Sequence, residues 1–443
     1  MLTEEKSLPA ASQRNRAEQK GVVPATLPTA ADASARGQGR NVLRVLRNRE
    51  FTLFWSGQAV SQTGTWMQQF AQGWVVTTLA SSAFALASVN FAASIPALVL
   101  MPLGGVAADR MERRRILLVT QCIMAVLAML MGALVMAGRL HLWHVWVIAL
   151  LLGLATAYDL PAFQSFYAQL VEREDLPQAI ALNQATFNGS RIIGPALAAW
   201  IVARWGMATA FFANGFSFLA VIGSLLLIRP RAAAPGALTT TRHFMAEGFQ
   251  YVRQRPYMRA LFGLTALTTM FVFPNVAILM PYYAKHILNV GPGSLGVIMA
   301  LSGAGAFLGA ACLLVMKRTA RMGWILSATI GIKVALFALA WSHSLGLSIA
   351  AVAVLSFGIS SSLGLASTMV QESAPDALRG RVMSLYSLAF TGVMPFAALA
   401  IARLADLIGM RHELIVSAVL YSICSTLLWR VLRKTNDRLN AEA

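Results

Sequence analysis

The sequence predicts an all-α membrane protein in which twelve transmembrane helices form two six-helix bundles. Hydrophobic residues make up 57% of the 443 residues and charged residues only 12%, whereas an ordinary soluble domain carries about 25% charged residues. The mean hydropathy of +0.63 indicates many membrane spans rather than one anchor. The charged residues lie in short runs between long uncharged stretches. This composition argues against a soluble enzyme, because too few polar residues are available to cover a soluble fold.

The lengths of the uncharged stretches predict the individual spans. The first stretch, 51–108, contains no charged residue and no histidine. It is long enough for two spans of about 20 residues each, which we expect to be joined by a turn near Ser81 and Ser82. Two later spans are each interrupted by one charge, Arg191 or Lys333. With these two included, the ten spans that follow the first stretch are predicted at 116–138, 145–158, 180–203, 205–228, 260–284, 287–316, 322–341, 344–371, 382–402 and 414–429.

The distribution of Lys and Arg predicts how the spans are oriented. If both termini are cytoplasmic, the inner segments hold 29 of the 36 Lys and Arg residues and the outer segments hold 5. Cytoplasmic loops of membrane proteins carry such an excess. The formal charge of +18 then reflects loops beside an anionic membrane surface rather than a nucleic-acid partner. We therefore expect a multi-pass protein of the cell inner membrane with both termini in the cytoplasm.

The longest internal loop divides the chain into two halves with six spans each. The predicted segments are a disordered cytoplasmic tail (1–49), a first bundle (50–229), a cytoplasmic central loop (230–256), a second bundle (257–433) and a cytoplasmic tail (434–443). At an offset of 200 residues, Glu172 matches Glu372 and Pro195 matches Pro395. These matches and the equal span counts suggest a duplicated unit.

The loop between spans two and three carries the most specific motif. Its residues are Gly105, Asp109, Arg110, Arg113 and Arg114. The loop resembles the signature motif of the major facilitator superfamily, although Glu112 stands where that family often has Gly. The resemblance implies that the loop acts as a latch, which joins the two halves on the cytoplasmic side when the central cavity faces outward. The alternative is a basic cytoplasmic loop without a latch.

Three other segments narrow the resemblance within that superfamily. The segment 187–195 ends in Gly194-Pro195 and is similar to the Gly-Pro element of facilitator antiporters, with alanines in place of its usual trailing glycines. The segments 379–386 and 61–66 are similar to the enterobactin exporters, although Thr65 stands where that branch is often acidic. We expect helix bends at Gly194, Pro195 and Pro395.

Polar residues follow one face of the first span. Gln58, Gln62, Thr65, Gln69 and Gln72 are spaced at 0, 4, 7, 11 and 14, which places them in one stripe of an α-helix. Glutamines that faced lipid would carry a large desolvation cost. We therefore predict that Gln58, Gln62 and Gln69 line a watery cavity. The alternative is that the stripe makes hydrogen bonds between packed helices.

The fifth span has a second stripe with a charge at its centre. The stripe consists of Gln184, Asn188, Arg191 and Pro195. An ionisable group inside a membrane span indicates a functional site, so we predict that Gln184, Asn188, Arg191 and, in span seven, Asn275 contact a substrate. Asp159, near the inner end of span four, is the nearest acidic residue along the chain. We predict that Asp159 and Arg191 couple transport to protons, whereas a purely structural ion pair is the alternative for Arg191.

Taken with the family resemblance, these features imply a secondary active transporter rather than an enzyme. The expected activity is export of a small amphipathic compound, such as a siderophore or a drug, by proton antiport and alternating access. An importer or a lipid transporter of the same fold is the alternative, and a polytopic membrane enzyme or signalling protein would be an alternative of another class. We expect no cofactor, no metal, no catalytic residues and no nucleic-acid partner. The expected partners are the substrate, protons and the lipid bilayer, with the protein a monomer.

Overall fold

A computed structural model describes residues 42–228 and 242–441, and every regular element in these ranges is a helix. The expected tail lies outside the described residues up to residue 41, and so does most of the expected central loop, from 229 to 241. Of the first unit, Met1–Arg44, only the start of a 3-10 helix is described, and the helices from Val45 onward form one compact unit.

The helices follow one another with short connections. The first six are α1 (Arg49–Leu79), α2 (Ala83–Arg110), α3 (Arg113–Met136), α4 (Leu142–Gln169), α5 (Leu176–Trp205) and α6 (Met207–Leu227). The next five are α7 (Arg242–Gln254), α8 (Pro256–Phe271), α9 (Phe273–Ala277), α10 (Met280–His286) and α11 (Pro292–Ala311). The last five are α12 (Arg321–Trp341), α13 (Leu345–Ser373), α14 (Asp376–Thr391), α15 (Met394–Ile408) and α16 (Met410–Ala441). Short 3-10 helices lie at Val42–Arg47, Cys312–Val315 and Arg318–Ala320.

Nine helical segments in the described part of the chain are long and apolar enough to cross a membrane. The glutamine-bearing α1 and the arginine-bearing α5 are not among them, nor is the broken segment from α8 to α10, yet α1 and α5 have 31 and 30 residues. Both helices are therefore long enough to span a membrane, and their polar side chains explain why their mean hydropathy is lower than that of the nine segments. The nine segments and these three together are consistent with the predicted twelve spans.

The helix boundaries have local causes. Asn48 caps α1, because its side-chain oxygen accepts from the backbone N–H groups of Glu50 (3.1 Å) and Phe51 (3.2 Å). Gly206 separates α5 from α6, and Gly409 separates α15 from α16, each with a positive φ (83° and 87°) that favours glycine. Span seven is broken into three helices, each of which begins at or beside a proline.

The packing of the core distinguishes the two ends of the helices. We use "outer end" for the end that carries the turns Ala80–Ser82, 137–141 and 342–344, which the charge bias assigns to the outside. Here one hydrophobic cluster includes residues of both halves, such as Phe70 and Tyr283. At the opposite, inner end, each half has a separate cluster. Among the residues that the structure describes, the two halves therefore share a core at the outer end only.

Candidate functional site

Part of the polar stripe of α1 lines a cavity within the first half, which we call the N-half cavity. Its volume is roughly 300 Å³. Its polar lining residues are Gln58, Ser61, Gln62, Thr65, Gln121, Thr156, Asp159, Asn183 and Thr186. Aromatic side chains, including Phe163 and Phe187, complete the wall. The cavity therefore combines hydrogen-bonding groups with apolar surface, as small-molecule sites generally do.

Asp159 is the acidic residue of the N-half cavity. Its Oδ1 accepts hydrogen bonds from Thr120 Oγ1 (2.6 Å) and Gln121 Nε2 (3.0 Å), both on α3. Gln121 is itself buried, and its Oε1 has no partner among the described residues. Among those residues no cation pairs with Asp159. The carboxyl group is thus held in place by two neutral donors, without an ion pair.

Arg191 lies on a different wall. Its guanidinium lies over the Trp66 ring, with Cζ 5.9 Å from the ring centroid. It also lines a second cavity of about 210 Å³, which we call the interface cavity because its other walls come from the second half, among them Phe273 and Ser356. In this conformation Asp159 and Arg191 therefore line separate cavities, and no described ion pair joins them.

The remaining predicted substrate contacts are distributed around these cavities. Gln69 and Gln184 are exposed and do not line either cavity. Asn188 is half-buried and donates to the backbone carbonyl of Gln184 (2.9 Å) within α5. Asn275 is fully buried and donates to the carbonyl of Phe271 (3.1 Å). Only part of the predicted set therefore lines a cavity in this conformation.

A buried carboxyl group in the second half was missed from the sequence. Glu413 on α16 is fully buried, and its Oε1 accepts from Ser417 Oγ (2.5 Å) and Asn275 Nδ2 (3.3 Å). Its Oε2 is also buried and has no partner among the described residues. The residue borders the uncharged run 414–429, so only its position one residue before a span could have indicated a membrane-buried acid.

The residues of the predicted latch do not join the two halves in this conformation. Asp109 and Arg110 are exposed, and Asp109 has no described hydrogen-bond or ion-pair partner. Arg113 donates to the carbonyl of Ala108 (3.1 Å), and Arg114 donates to the carbonyl of Leu225 (2.6 Å), so both act within the first half. That Asp109 has no described partner agrees with the separation of the two hydrophobic clusters at the inner end.

The glycines beside the motif differ in what they contact. A Cβ added to Gly104 would lie 2.9 Å from the carbonyl carbon of Ala157 and 3.1 Å from Cα of Tyr158, whereas one added to Gly105 would meet nothing within 4 Å. Gly104 therefore permits the close packing of α2 on α4. At the motif glycine, Gly105, a side chain would extend into open space in this conformation.

The three predicted bend positions have different surroundings. Gly194 and Pro195 are both buried inside α5, which continues through them as an α-helix, and Gly194 packs against Trp66 of α1. In span eleven, α14 ends at Thr391 and α15 begins at Met394, so the helix is interrupted just before Pro395. Proline at the second position of a new helix lacks only an N–H that would be unpaired there.

The sequence matches a protein-family model and is similar to several named proteins. The family model described as "Transmembrane secretion effector" matches residues 41–443. Macrolide efflux protein A of Streptococcus pyogenes is 24% identical over 84% of this chain and 93% of its own length. The multidrug efflux pump Tap of Mycolicibacterium fortuitum is 27% identical over 76% of this chain and 84% of its own. The enterobactin exporter EntS of Shigella boydii serotype 18 is 26% identical over 64% of this chain and 68% of its own.

Solved structures match the fold over most of the chain. A bacterial homologue of the human lysosomal transporter Spinster, in an inward-facing and occupied conformation, superposes with a TM-score of 0.67 at 13% identity and covers 89% of this chain and 98% of its own. A bacterial homologue of the iron transporter ferroportin, in the inward-facing state, superposes with a TM-score of 0.66 at 15% identity and covers 89% of this chain and 100% of its own. At such identities the likeness concerns the fold.

Proposed function

This chain belongs to the transmembrane secretion effector family of the major facilitator superfamily, and from that membership we propose that it exports a small amphipathic compound, such as a siderophore or a drug, by proton antiport. The relatives named above carry the words efflux or exporter in their names, which supports export over import or lipid transport. The relatives and structural neighbours are transporters, which argues against an enzymatic or signalling role. The predicted fold class, that of a multi-pass facilitator, is confirmed by the helical architecture and by these comparisons.

The N-half cavity supports an amphipathic substrate. Gln58, Gln62 and Asp159 present hydrogen-bonding groups, and Phe163 and Phe187 present aromatic surface in the same cavity. A compound with both polar and apolar parts could satisfy both kinds of wall, whereas a purely apolar compound would leave buried polar groups without partners. We propose that Gln69, Gln184, Asn188, Arg191 and Asn275 join this site as the halves move.

Alternating access is supported by the asymmetry of the two ends. The halves share a hydrophobic cluster at the outer end and have separate clusters at the inner end. This arrangement corresponds to an inward-open state, in which an exporter collects its substrate from the cytoplasm. We propose that the motif Gly105, Asp109, Arg110, Arg113 and Arg114 closes the inner end in the opposite state, and that the bend positions Gly194, Pro195 and Pro395 accommodate the movement.

The position of Asp159 is the observation that carries the proposal of proton antiport. Antiport requires a group that binds a proton in one access state and releases it in the other. Asp159 lies in the N-half cavity and is held by Thr120 and Gln121, without a described cationic partner. Arg191 lines the neighbouring interface cavity. If movement of the halves changes the distance between these two charges, it also changes how strongly the carboxyl group holds its proton.

Transport in inverted membrane vesicles tests this proposal. Labelled macrolide and labelled enterobactin serve as probes, with an imposed pH gradient, for the wild type, Asp159→Asn and the control Asp376→Asn. Asp376 is exposed and pairs with Arg379 (2.5 Å), away from both cavities. We expect Asp159→Asn to abolish gradient-driven accumulation but to retain exchange of probe across the membrane, and the control to behave as wild type. Full accumulation by Asp159→Asn would remove Asp159 from the mechanism.

The orientation and assembly are also proposals. We place both termini in the cytoplasm and the protein in the cell inner membrane, because the Lys and Arg residues are concentrated in the segments assigned to the inside. We also propose that it acts as a monomer.

A further inference from the structure

The outer end of the first helical hairpin lacks charges of its own. α1 has no basic residue in its last turn, and α2 has no acidic residue in its first turn. The last carbonyl groups of a helix carry partial negative charge and its first N–H groups partial positive charge, so a cation is favoured at the former and an anion at the latter. The Ala80–Ser82 turn therefore presents two helix ends of opposite polarity without a local counter-charge.

The second half of the chain supplies both counter-charges. Asp406 on α15 accepts from the hydroxyl of Ser82 (2.6 Å) and from the backbone N–H groups of Ala83 (2.7 Å) and Phe84 (3.1 Å) at the start of α2. Lys285 on α10 donates from Nζ to the carbonyl oxygen of Thr77 (2.8 Å) in the last turns of α1. The acid thus lies at the positive helix end and the base at the negative one, as the helix dipoles require.

In the described part of the chain, these contacts are the hydrogen-bonded links between the two halves. Between residues that the structure describes, four hydrogen bonds join the halves, and all four are those made by Asp406 and Lys285. Close packing accompanies them, because a Cβ on Gly73 of α1 would come within 2.9 Å of Pro281 on α10. The polar links and the shared hydrophobic cluster therefore coincide at the outer end.

We infer that Asp406 and Lys285 are positioning residues of the transport cycle, which together form an outer clamp on the Ala80–Ser82 turn. The clamp stabilises the conformation in which the outer end is closed and the inner end is open. It must release before the outer end can open and the compound can leave. This role rests on the alternating access proposed above, but it does not depend on the identity of the substrate or on the use of Asp159 for coupling.

The clamp and the predicted latch have opposite effects on the same equilibrium. The clamp is formed here, while Asp109 at the inner end is exposed and without a described partner. The latch is expected to form when the clamp is broken. Removing the clamp should therefore favour the outward-open state, and removing the latch should favour the inward-open state.

Distance measurements between spin labels test the clamp without any substrate. The labels are attached through Met136→Cys and Trp341→Cys, which are exposed near the outer end of the first and the second half, after Cys122, Cys312 and Cys424 are replaced by serine. Double electron–electron resonance then gives the populations with a short and a long outer distance. The variants are Asp406→Asn, Lys285→Gln and the conservative Asp406→Glu, with Arg403→Gln as control, since Arg403 is exposed on the same helix.

We expect Asp406→Asn to raise the ratio of long to short outer distances about tenfold, which corresponds to about 1.4 kcal/mol. Lys285→Gln should shift the ratio in the same direction by less, because it removes one hydrogen bond rather than weakening three. Asp406→Glu should restore most of the wild-type distribution, Arg403→Gln should leave it unchanged, and Asp109→Asn should shift it in the opposite direction.

The outcomes separate this inference from the proposed function. If Asp406→Asn gives the same distances as the wild type and Arg403→Gln, the clamp does not control access, even if export is observed. If export of every probe fails while the distances shift as expected, the clamp stands and the assigned substrate class is wrong. In the vesicle assay Asp406→Asn should also export more slowly than Asp406→Glu; a purely structural role would lower the amount of folded protein but would not shift the outer distances.

Discussion

Two neighbouring glycines in α2 should respond oppositely to the same substitution. Gly104 and Gly105 lie side by side, and Gly105 is the glycine of the facilitator motif. A Cβ at Gly104 would meet the backbone of α4, at 2.9 Å from the carbonyl carbon of Ala157, whereas a Cβ at Gly105 would meet nothing within 4 Å. Real Cβ atoms almost never approach other atoms more closely than 3.0 Å, so Gly104→Ala requires α2 and α4 to separate.

The expected size of the effect follows from this contact. Overpacking of a well-packed core costs about 1–3 kcal/mol, and a rigid backbone contact cannot move aside as a side chain can. Alanine gains about 1 kcal/mol over glycine in helix propensity. The difference is about 0–2 kcal/mol, and the rigid backbone contact places Gly104→Ala near the upper end of this range, at about 2 kcal/mol of destabilisation. Gly105→Ala should leave the protein equally stable or up to about 1 kcal/mol more stable.

Thermal unfolding in detergent measures the two variants side by side, with export of the labelled probes as a second readout. Gly104→Ala should unfold several degrees below the wild type, at roughly 2–4 °C per kcal/mol for a large domain. Gly105→Ala should unfold at or above the wild-type temperature. It should export more slowly if closure of the inner end brings another helix against Gly105, where a methyl group would then obstruct the contact. Equal melting temperatures for the two variants would refute the assigned packing of α2 on α4.

The remaining predictions concern the latch, the polar stripe and a buried amide pair. Asp109→Asn should leave thermal stability unchanged, because an exposed group without a described partner contributes little, while export falls; full export with unchanged labelling of both cavity faces would contradict the latch. Single cysteines at Gln58, Gln62 and Gln69 should react with an impermeant thiol reagent, and those at Val60 and Ala71 should not; equal reactivity of both faces would argue against cavity lining. Asn214→Ala should lower the unfolding free energy by about 1–3 kcal/mol, because Asn214 donates to the buried Gln68 Oε1 (2.7 Å), and Asn188→Ala, which loses only a bond within its own helix, provides the control in the same thermal assay.

Much of the architecture could be predicted from runs of uncharged residues. The turn expected near Ser81 and Ser82 is found at Ala80–Ser82, and the expected spans appear as helices, because a membrane requires about 20 apolar residues per helix and leaves charges to the connections. Some boundaries were missed. α4 was expected to end at 158 but continues to Gln169, since Asp159 and Pro161 lie inside the helix rather than after it.

The candidate site was predictable only in part. The helical spacing of Gln58, Gln62 and Thr65 indicated a common face, and all three line the N-half cavity. That Gln121 and Thr120 hold Asp159 depends on how α3 packs on α4, and no local pattern marks them. The predicted coupling residues Asp159 and Arg191 lie on consecutive helices, yet they line different cavities, because adjacency along the chain does not determine which way a side chain points.

The sequence by itself determined where helices form, because helix formation in a membrane depends on local runs of apolar residues and on caps a few positions away. The tertiary structure alone decided which distant groups meet. Asp406 and Ser82 are 324 positions apart, and Lys285 and Thr77 are 208 apart. The helix ends that they complete are uncharged in the sequence, so nothing near Ala80 indicates a clamp. Only the packing of one half of the chain against the other brings each charge to the helix end whose polarity it opposes.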